Sequence, residues 1–335
     1  MSGFIVVLFY LAATAYALAS CVIYFTDVLS GVLLILGGLI TSVVLSALIH
    51  ELFHALFGKL NGFKVADMTI CGVKADFISK GLKLVSPTDF GQTSLIPEVG
   101  NNYTGRYIRA TLAGIISGGV IAAALCAVHF SVANSGVKLF TSFWVFSAVM
   151  FLINAIPLLI PTSDGSSVYF ARKYKKTYEK QFEITARYYG GEIFSEMDGE
   201  LFEDVPTKAP DRLRRTALLF ALMRAEEIGD GKVVKEMADG LLSPLDEDEA
   251  AEMVYAYSTI GDGDGLKRIE QTALPMIDRL SGANGARALL SRAEFYGDEK
   301  YFSVAYPTLE RLVEKCVFYG ERRREKLLSE KLFIK

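Results

Sequence analysis

Residues 40–65 read ITSVVLSALIHELFHALFGKLNGFKV, an apolar, helix-length stretch that carries His50-Glu51-Leu52-Phe53-His54 near its end. Residues four apart share one face of a helix, so both imidazoles can point at a single metal ion, while Glu51, one step round, can reach water beside it. Zinc at such a site brings the pKa of water toward neutrality, and a neighbouring carboxylate takes the proton as the oxygen attacks a carbonyl. The pattern therefore points to peptide hydrolysis. Two of the chain's three histidines are used here. An ionisable group inside a membrane span costs on the order of 3 kcal/mol unless it is paired or metal-bound, which argues for a functional cluster.

Outward from this stretch the chain divides into two unlike halves. Residues 1–170 hold 8 Lys/Arg and 7 Asp/Glu, leaving 27 and 31 for residues 171–335. A chain that is 51% hydrophobic and 22% charged, with its charge concentrated in one half, is neither one soluble domain nor disordered. Net charges of about +1 and −4 for the halves argue against a nucleic-acid partner. Four stretches, about 4–26, 30–57, 107–130 and 139–160, have the length and apolarity of transmembrane helices. Leu18-Ala19-Ser20-Cys21 resembles a lipoprotein cleavage box, but no Lys or Arg precedes the apolar run and the chain continues Val22-Ile23-Tyr24-Phe25, so 4–26 reads as a retained span. Cys21, Cys71, Cys126 and Cys316 are too scattered for a metal knuckle or a disulfide framework.

Six Lys/Arg fall between Gly58 and Arg106, and Arg172, Lys173, Lys175 and Lys176 follow the fourth stretch. The other connections have none, so the positive-inside rule places 58–106 and the whole C-terminal half in the cytoplasm. Within 58–106, Phe63 to Phe77 reads as a β-hairpin, FKVADMTI-CG-VKADF. Such a hairpin either caps the bundle or offers an edge with which an extended substrate can pair.

A catalytic zinc needs a third protein ligand and an open position for water. Asp164, in Asn154-Ala155-Ile156-Pro157-Leu158-Leu159-Ile160-Pro161-Thr162-Ser163-Asp164-Gly165, lies at the cytoplasmic end of the fourth stretch, level with His50 and His54. Pro157 and Pro161 break the helical ladder so that a carboxylate can turn inward, and Gly165 lets the chain leave. Asn154 offers an amide to a developing oxyanion or to substrate backbone. His129 reads as an interfacial residue rather than a ligand.

The stretch HELFHALFGKLNGFKV, then Arg109-Ala110-Thr111-Leu112-Ala113-Gly114, then Asn-x-x-Pro and Asp-Gly, resembles the site-2 protease-like intramembrane metalloproteases over roughly residues 30–170. That resemblance implies a three-helix core with zinc held by His50, His54 and Asp164, Glu51 as general base, and Asn154 assisting the transition state. It also implies cleavage of transmembrane segments of other proteins, as in regulated intramembrane proteolysis. The chain departs from the family where Ile115-Ile116-Ser117 follows Ala113-Gly114. A rival membrane enzyme would take a later glutamate as third ligand, and none of the later membrane stretches contains one.

In the C-terminal half, LFALMRAEEIGDGKVV, VYAYSTIGDGDGLKRI and LLSRAEFYGDEKYFSV each run an apolar helix into Gly-Asp, at Gly229-Asp230, Gly261-Asp262 and Gly297-Asp298. These intervals suit a helical-hairpin repeat resembling a tetratricopeptide array, with glycine as helix stop and aspartate as N-cap. Tyr255, Tyr257, Tyr296 and Tyr301 either line a groove for a protein partner or pack between hairpins.

The expected architecture is mainly α: a polytopic bundle of about four spans with a small β-hairpin over 1–170, a linker over 171–205, and a cytoplasmic repeat domain over 206–335. The expected activity is that of a zinc metalloprotease in the lipid bilayer of a bacterial inner membrane, acting on membrane-protein or peptide substrates. The alternatives are a catalytically idle relative that serves as a scaffold through its repeats, and a metal or ion transporter using the His/Asp cluster.

Overall fold

A computed structural model describes residues 28–85, 91–133, 144–160, 162–203, 208–277 and 282–332, together with isolated positions between them and Ala15 and Ala19 before them. Apart from those two positions, the expected span at 4–26, with its cysteine box, lies outside these residues, as does most of the first part of 139–160. Among the described residues the chain is mostly helical with one four-stranded antiparallel sheet. It forms two compact units, 1–175 and 176–335.

In the first unit, helix α1 (Val28–Leu60) leads through a tight turn into β1 (Phe63–Ile70). The turn is held by Gly62 in the left-handed region and by the Arg106 guanidinium, which donates to the carbonyls of Asn61 and Gly62. Strands β2 (Val73–Asp76), β3 (Gly81–Leu84) and β4 (Gly91–Pro97) follow, in the spatial order β3-β2-β1-β4. The expected hairpin is thus only the centre of a sheet. The register Met68↔Ala75 fits the reading of Phe63–Phe77, while β3 and β4 carry Gly, Lys, Gln and Ser and lack the apolar run of β1. A bulge between Val65 and Asp67 shifts the β1–β4 register.

Helix α2 (Tyr103–Ser131) then packs against α1, and α3 (Val145–Ala155) and α4 (Asp164–Lys173) pack against α2. Two helical stretches, Ile40–Leu60 and Tyr103–Ser131, are long and apolar enough to cross a membrane. These helices expose the large apolar side chains of Ile40, Leu52, Leu56, Ile116 and Val120. The expected bundle of four spans is not shown: two helices among the described residues have the length and apolarity of a crossing. The described helix in the fourth stretch is α3, 11 residues long.

The second unit begins inside what the sequence suggests is a linker. Residues 175–190 form α5 (Lys175–Gly190), and short 3-10 turns follow at Phe194–Glu196 and Gly199–Phe202. Ile184, Phe194 and Met197 form a small buried cluster with Phe202 and Phe220, and apolar side chains spaced for packing explain why this stretch is ordered. Helices α6 (Asp211–Ile228), α7 (Gly231–Leu241), α8 (Glu247–Thr259), α9 (Gly263–Ile277), α10 (Ala283–Tyr296), α11 (Glu299–Glu314) and α12 (Tyr319–Lys331) complete it. Successive helices pair as α6–α7, α8–α9 and α10–α11, and α8 stacks on α10. Gly229, Gly261 and Gly297 all have positive φ, and the Asp230 and Asp298 side chains cap α7 and α11. Tyr255 and Tyr257 are core residues, whereas Tyr296 and Tyr301 are exposed.

One buried ion network ties α6, α8, α10 and α12 together. Arg324 donates to Glu226 (2.6 Å) and Glu252 (2.8 Å), and Arg287 donates to Glu252 (2.9 Å) and Glu325 (2.7 Å). Ionisable groups this deep are tolerated only because each is hydrogen-bonded to a partner.

Candidate metal centre

Helix α1 presents His50 and His54 on the face that meets α2. The Nδ1–H of His50 donates to the Gly114 carbonyl (3.0 Å) and that of His54 to the Ala110 carbonyl (3.1 Å). Two acceptors four residues apart on α2 match two rings four residues apart on α1. A carbonyl only accepts, so this pairing puts the proton of each neutral ring on Nδ1 and leaves both Nε2 lone pairs bare. Gly114 also clears space: a Cβ there would lie 2.3 Å from Nε2 and Cε1 of His54.

Asp164 completes the group. Helix α3 ends at Ala155 and Ile156 is extended, as expected of the residue before Pro157. The turn that follows is stitched by Ser163, which caps α4, and by Ser166, whose hydroxyl accepts from the Leu158 amide (2.8 Å). Asp164 is the first residue of α4, with its carboxylate turned to the histidines. Gly165 does not release the chain as expected; it lies in the first turn of α4, where a Cβ would meet the Ala155 carbonyl at 2.5 Å. Pro161 lies outside the described residues.

The Asp164 Oδ2 atom is 2.8 Å from Nε2 of His50 and 3.0 Å from Nε2 of His54, and the two Nε2 atoms are 3.1 Å apart. Three electron-pair donors face one point. Metal–ligand bonds of about 2.0–2.1 Å at a tetrahedral angle put ligand atoms about 3.3 Å apart, so this set needs only a small expansion to hold an ion. The residues present thus fit a tetrahedral metal with one position left over. The same donors suit other borderline cations as well as zinc.

Glu51 is buried on the adjacent face of α1. The Thr93 hydroxyl of β4 donates to its Oε2 atom (2.7 Å), and Gly91 lies so close that a Cβ would be 2.7 Å from Oε1. Residues 91 and 93 share one face of β4, and that face lies on α1. The sequence reading missed Thr93 and β4, since nothing in Gly91-Gln92-Thr93 marks them as neighbours of residue 51. Asn154 stands next to last in α3, half-buried, and its amide makes no hydrogen bond to the ligand atoms or to Glu51. His129 hydrogen-bonds Thr141 (2.9 Å) and takes no part in the group.

Depth follows from helix geometry. Ala110 and Gly114 lie 7 and 11 residues into α2, about 10 and 16 Å from its start. His54 and His50 lie 6 and 10 residues before the end of α1, about 9 and 15 Å. Both helices therefore place the centre at the same level, three to seven residues, or about 5–10 Å, inside the edges of the apolar stretches at 57 and 107. Comparison of the chain with family models, with characterised proteins and with solved structures finds no match.

Proposed function

We propose that the chain is an intramembrane zinc metalloprotease of the site-2 protease type, hydrolysing peptide bonds within or next to transmembrane segments of substrate proteins. The observation that carries this reading is the convergence of His50, His54 and Asp164 on one point, about 9–16 Å from the ends of two membrane-length helices, with Glu51 next to His50 in the same helix. When bound, zinc supplies a Lewis acid that polarises the scissile carbonyl and acidifies water. His50, His54 and Asp164 hold it. Glu51 accepts the water's proton and passes it to the leaving amine, and the Thr93 hydroxyl fixes the position of its carboxylate.

Substrate handling follows from the sheet. Among the described strands β4 is outermost and pairs only with β1. A peptide that unwinds and adds to β4 through main-chain hydrogen bonds would run past Thr93 and Glu51 whatever its side chains. In this reading the C-terminal unit lies in the cytoplasm of a bacterium, where its helical hairpins recruit or gate substrates.

The metal half of the proposal is tested by titrating purified full-length protein with zinc and measuring metal per chain. One ion per chain is expected in wild type and in Glu51→Gln, and less than a tenth of that in Asp164→Ala at the same free zinc. Equal zinc in wild type and Asp164→Ala would remove Asp164 from the site.

A further inference from the structure

A cavity of about 470 Å³ opens in the first unit between α2, the end of α3 and α4. Its walls are Leu112 and Ile115 of α2, Ala155 at the end of α3 and Pro157 just beyond it, and Val168 and Tyr169 of α4; Arg172 and Lys173 stand at one end. At 100° per residue, Leu112 and Ile115 lie about 200° and 140° round α2 from Ala110, so the cavity is on the side of α2 turned away from His54. Gly165, next to Asp164 in the first turn of α4, also lines it, while none of the three metal-ligand residues does.

The cavity is graded in polarity along the membrane normal. Asp164 sits at the depth of Ala110 and Gly114, whereas at the other end the Lys175 carbonyl accepts from the Thr104 hydroxyl (3.3 Å) in the first turn of α2. Helix α4 thus runs outward, from metal depth to the polar end of α2, over eight residues of α2 or about 12 Å. The apolar lining lies at the deep end. Tyr169 and the two cations lie at the shallow end, the order of acyl chain, interfacial aromatic and headgroup. The Lys173 ammonium stands over the rings of Tyr169 and Tyr174, at 5.6 and 5.5 Å. Arg172 is exposed and has no ion pair with any described residue. An apolar slot between membrane helices whose mouth carries an uncompensated guanidinium and a positioned ammonium is complementary to one class of ligand.

We propose that this slot binds one anionic phospholipid, with an acyl chain along Leu112, Ile115 and Pro157 and the phosphate between Arg172 and Lys173. The lipid would brace α4, and with it Asp164, against α2. The inference rests on α2 crossing a membrane and is independent of hydrolysis.

The test is native mass spectrometry of the full-length protein in detergent, titrated with dioleoyl-phosphatidylglycerol or dioleoyl-phosphatidylcholine. One phosphatidylglycerol per chain is expected to bind at concentrations where phosphatidylcholine does not. Arg172→Gln/Lys173→Gln should weaken it about thirtyfold, as for the loss of two interfacial cations. Ile115→Trp, which fills the slot and leaves both cations, should weaken it at least tenfold. Lys175→Gln/Lys176→Gln removes equal charge just outside the slot and should change binding less than threefold. The two charge pairs are on the surface, so they decide the question even if Ile115→Trp does not fold. Equal losses for both pairs would reduce the effect to diffuse electrostatics and overturn the proposal. Displacement of the lipid by millimolar glycerol phosphate would overturn it in favour of a soluble-phosphate site, and equal binding of the two lipids would overturn it outright.

Discussion

Replacing Gly114 by alanine puts the whole account of the metal centre on one methyl group. The added Cβ would fall 2.3 Å from both Nε2 and Cε1 of His54. Non-bonded heavy atoms come to rest about 3.5 Å apart, so the ring or the α2 backbone must withdraw by about 1.2 Å. Metal–ligand bonds tolerate about 0.2 Å. His54 therefore cannot remain a ligand by small adjustment, and a shift of α2 would also displace the two carbonyls that orient both rings. Loss of ring orientation alone costs about 10–100-fold in metal affinity, and displacement of a ligand costs at least as much. The assay is zinc affinity by competition with a chromogenic chelator at neutral pH, on full-length protein of matched dispersity. Gly118→Ala is the control, because a Cβ there meets Phe151 at an ordinary 3.6 Å on the same helix. Zinc affinity of Gly114→Ala within threefold of wild type would refute the geometry.

Three further outcomes follow from other contacts. Thr93→Ala should lower turnover of a cleavable transmembrane reporter about tenfold or more with KM little changed, since it removes a hydrogen bond to a charged group, while Thr93→Ser should restore most of it; equal activity of the alanine variant would dissociate Thr93 from Glu51. Arg324→Ala leaves Glu226 without its Arg324 donor and Glu252 with Arg287 alone, so chemical denaturation of the full-length protein should shift by about 3–5 kcal/mol, and a change below 1 kcal/mol would contradict the network. Burial and the neighbouring Glu252 charge raise the pKa of Glu226, whereas Arg287 and Arg324 overcome burial and hold Glu252 low. Above the unfolded Glu226 value the folded state keeps a proton that the unfolded state has lost, so its contribution falls by up to about 1.4 kcal/mol per pH unit until pH passes the raised folded value. Glu252 acts oppositely, losing its contribution only as pH falls below the ordinary carboxylate range. Glu226→Gln should therefore flatten the fall of the melting temperature as pH rises above the ordinary carboxylate range; an unchanged slope would assign it to another group.

The site was legible in the sequence where chemistry and local periodicity coincide. His50 and His54 are four apart on one helix, and two prolines before Asp164 announce a turn, so both halves of the ligand set can be read without a fold. Thr93 could not be found that way, because its position on Glu51 comes from β4 crossing α1, a non-local pairing that leaves no local pattern. Asn154 shows the converse: residue type and spacing suggest an oxyanion donor, yet its amide makes no bond to the centre. Residues 171–205 read as a linker because they are charged and glycine-containing, but Ile184, Phe194 and Met197 bury one face of them. The Arg287–Arg324 network was equally hidden, since Arg and Glu on amphipathic helices ordinarily mark a solvated face.

The central claim is that Glu51 performs intramembrane proteolysis, and the most direct test compares new protein termini in membranes from cells expressing wild type or Glu51→Gln at equal levels. The account predicts termini inside transmembrane segments only with wild type, from a variant that still binds one zinc per chain. Identical termini from the two proteins, both folded and zinc-loaded, would contradict it and leave the chain as a membrane scaffold acting through its helical repeats.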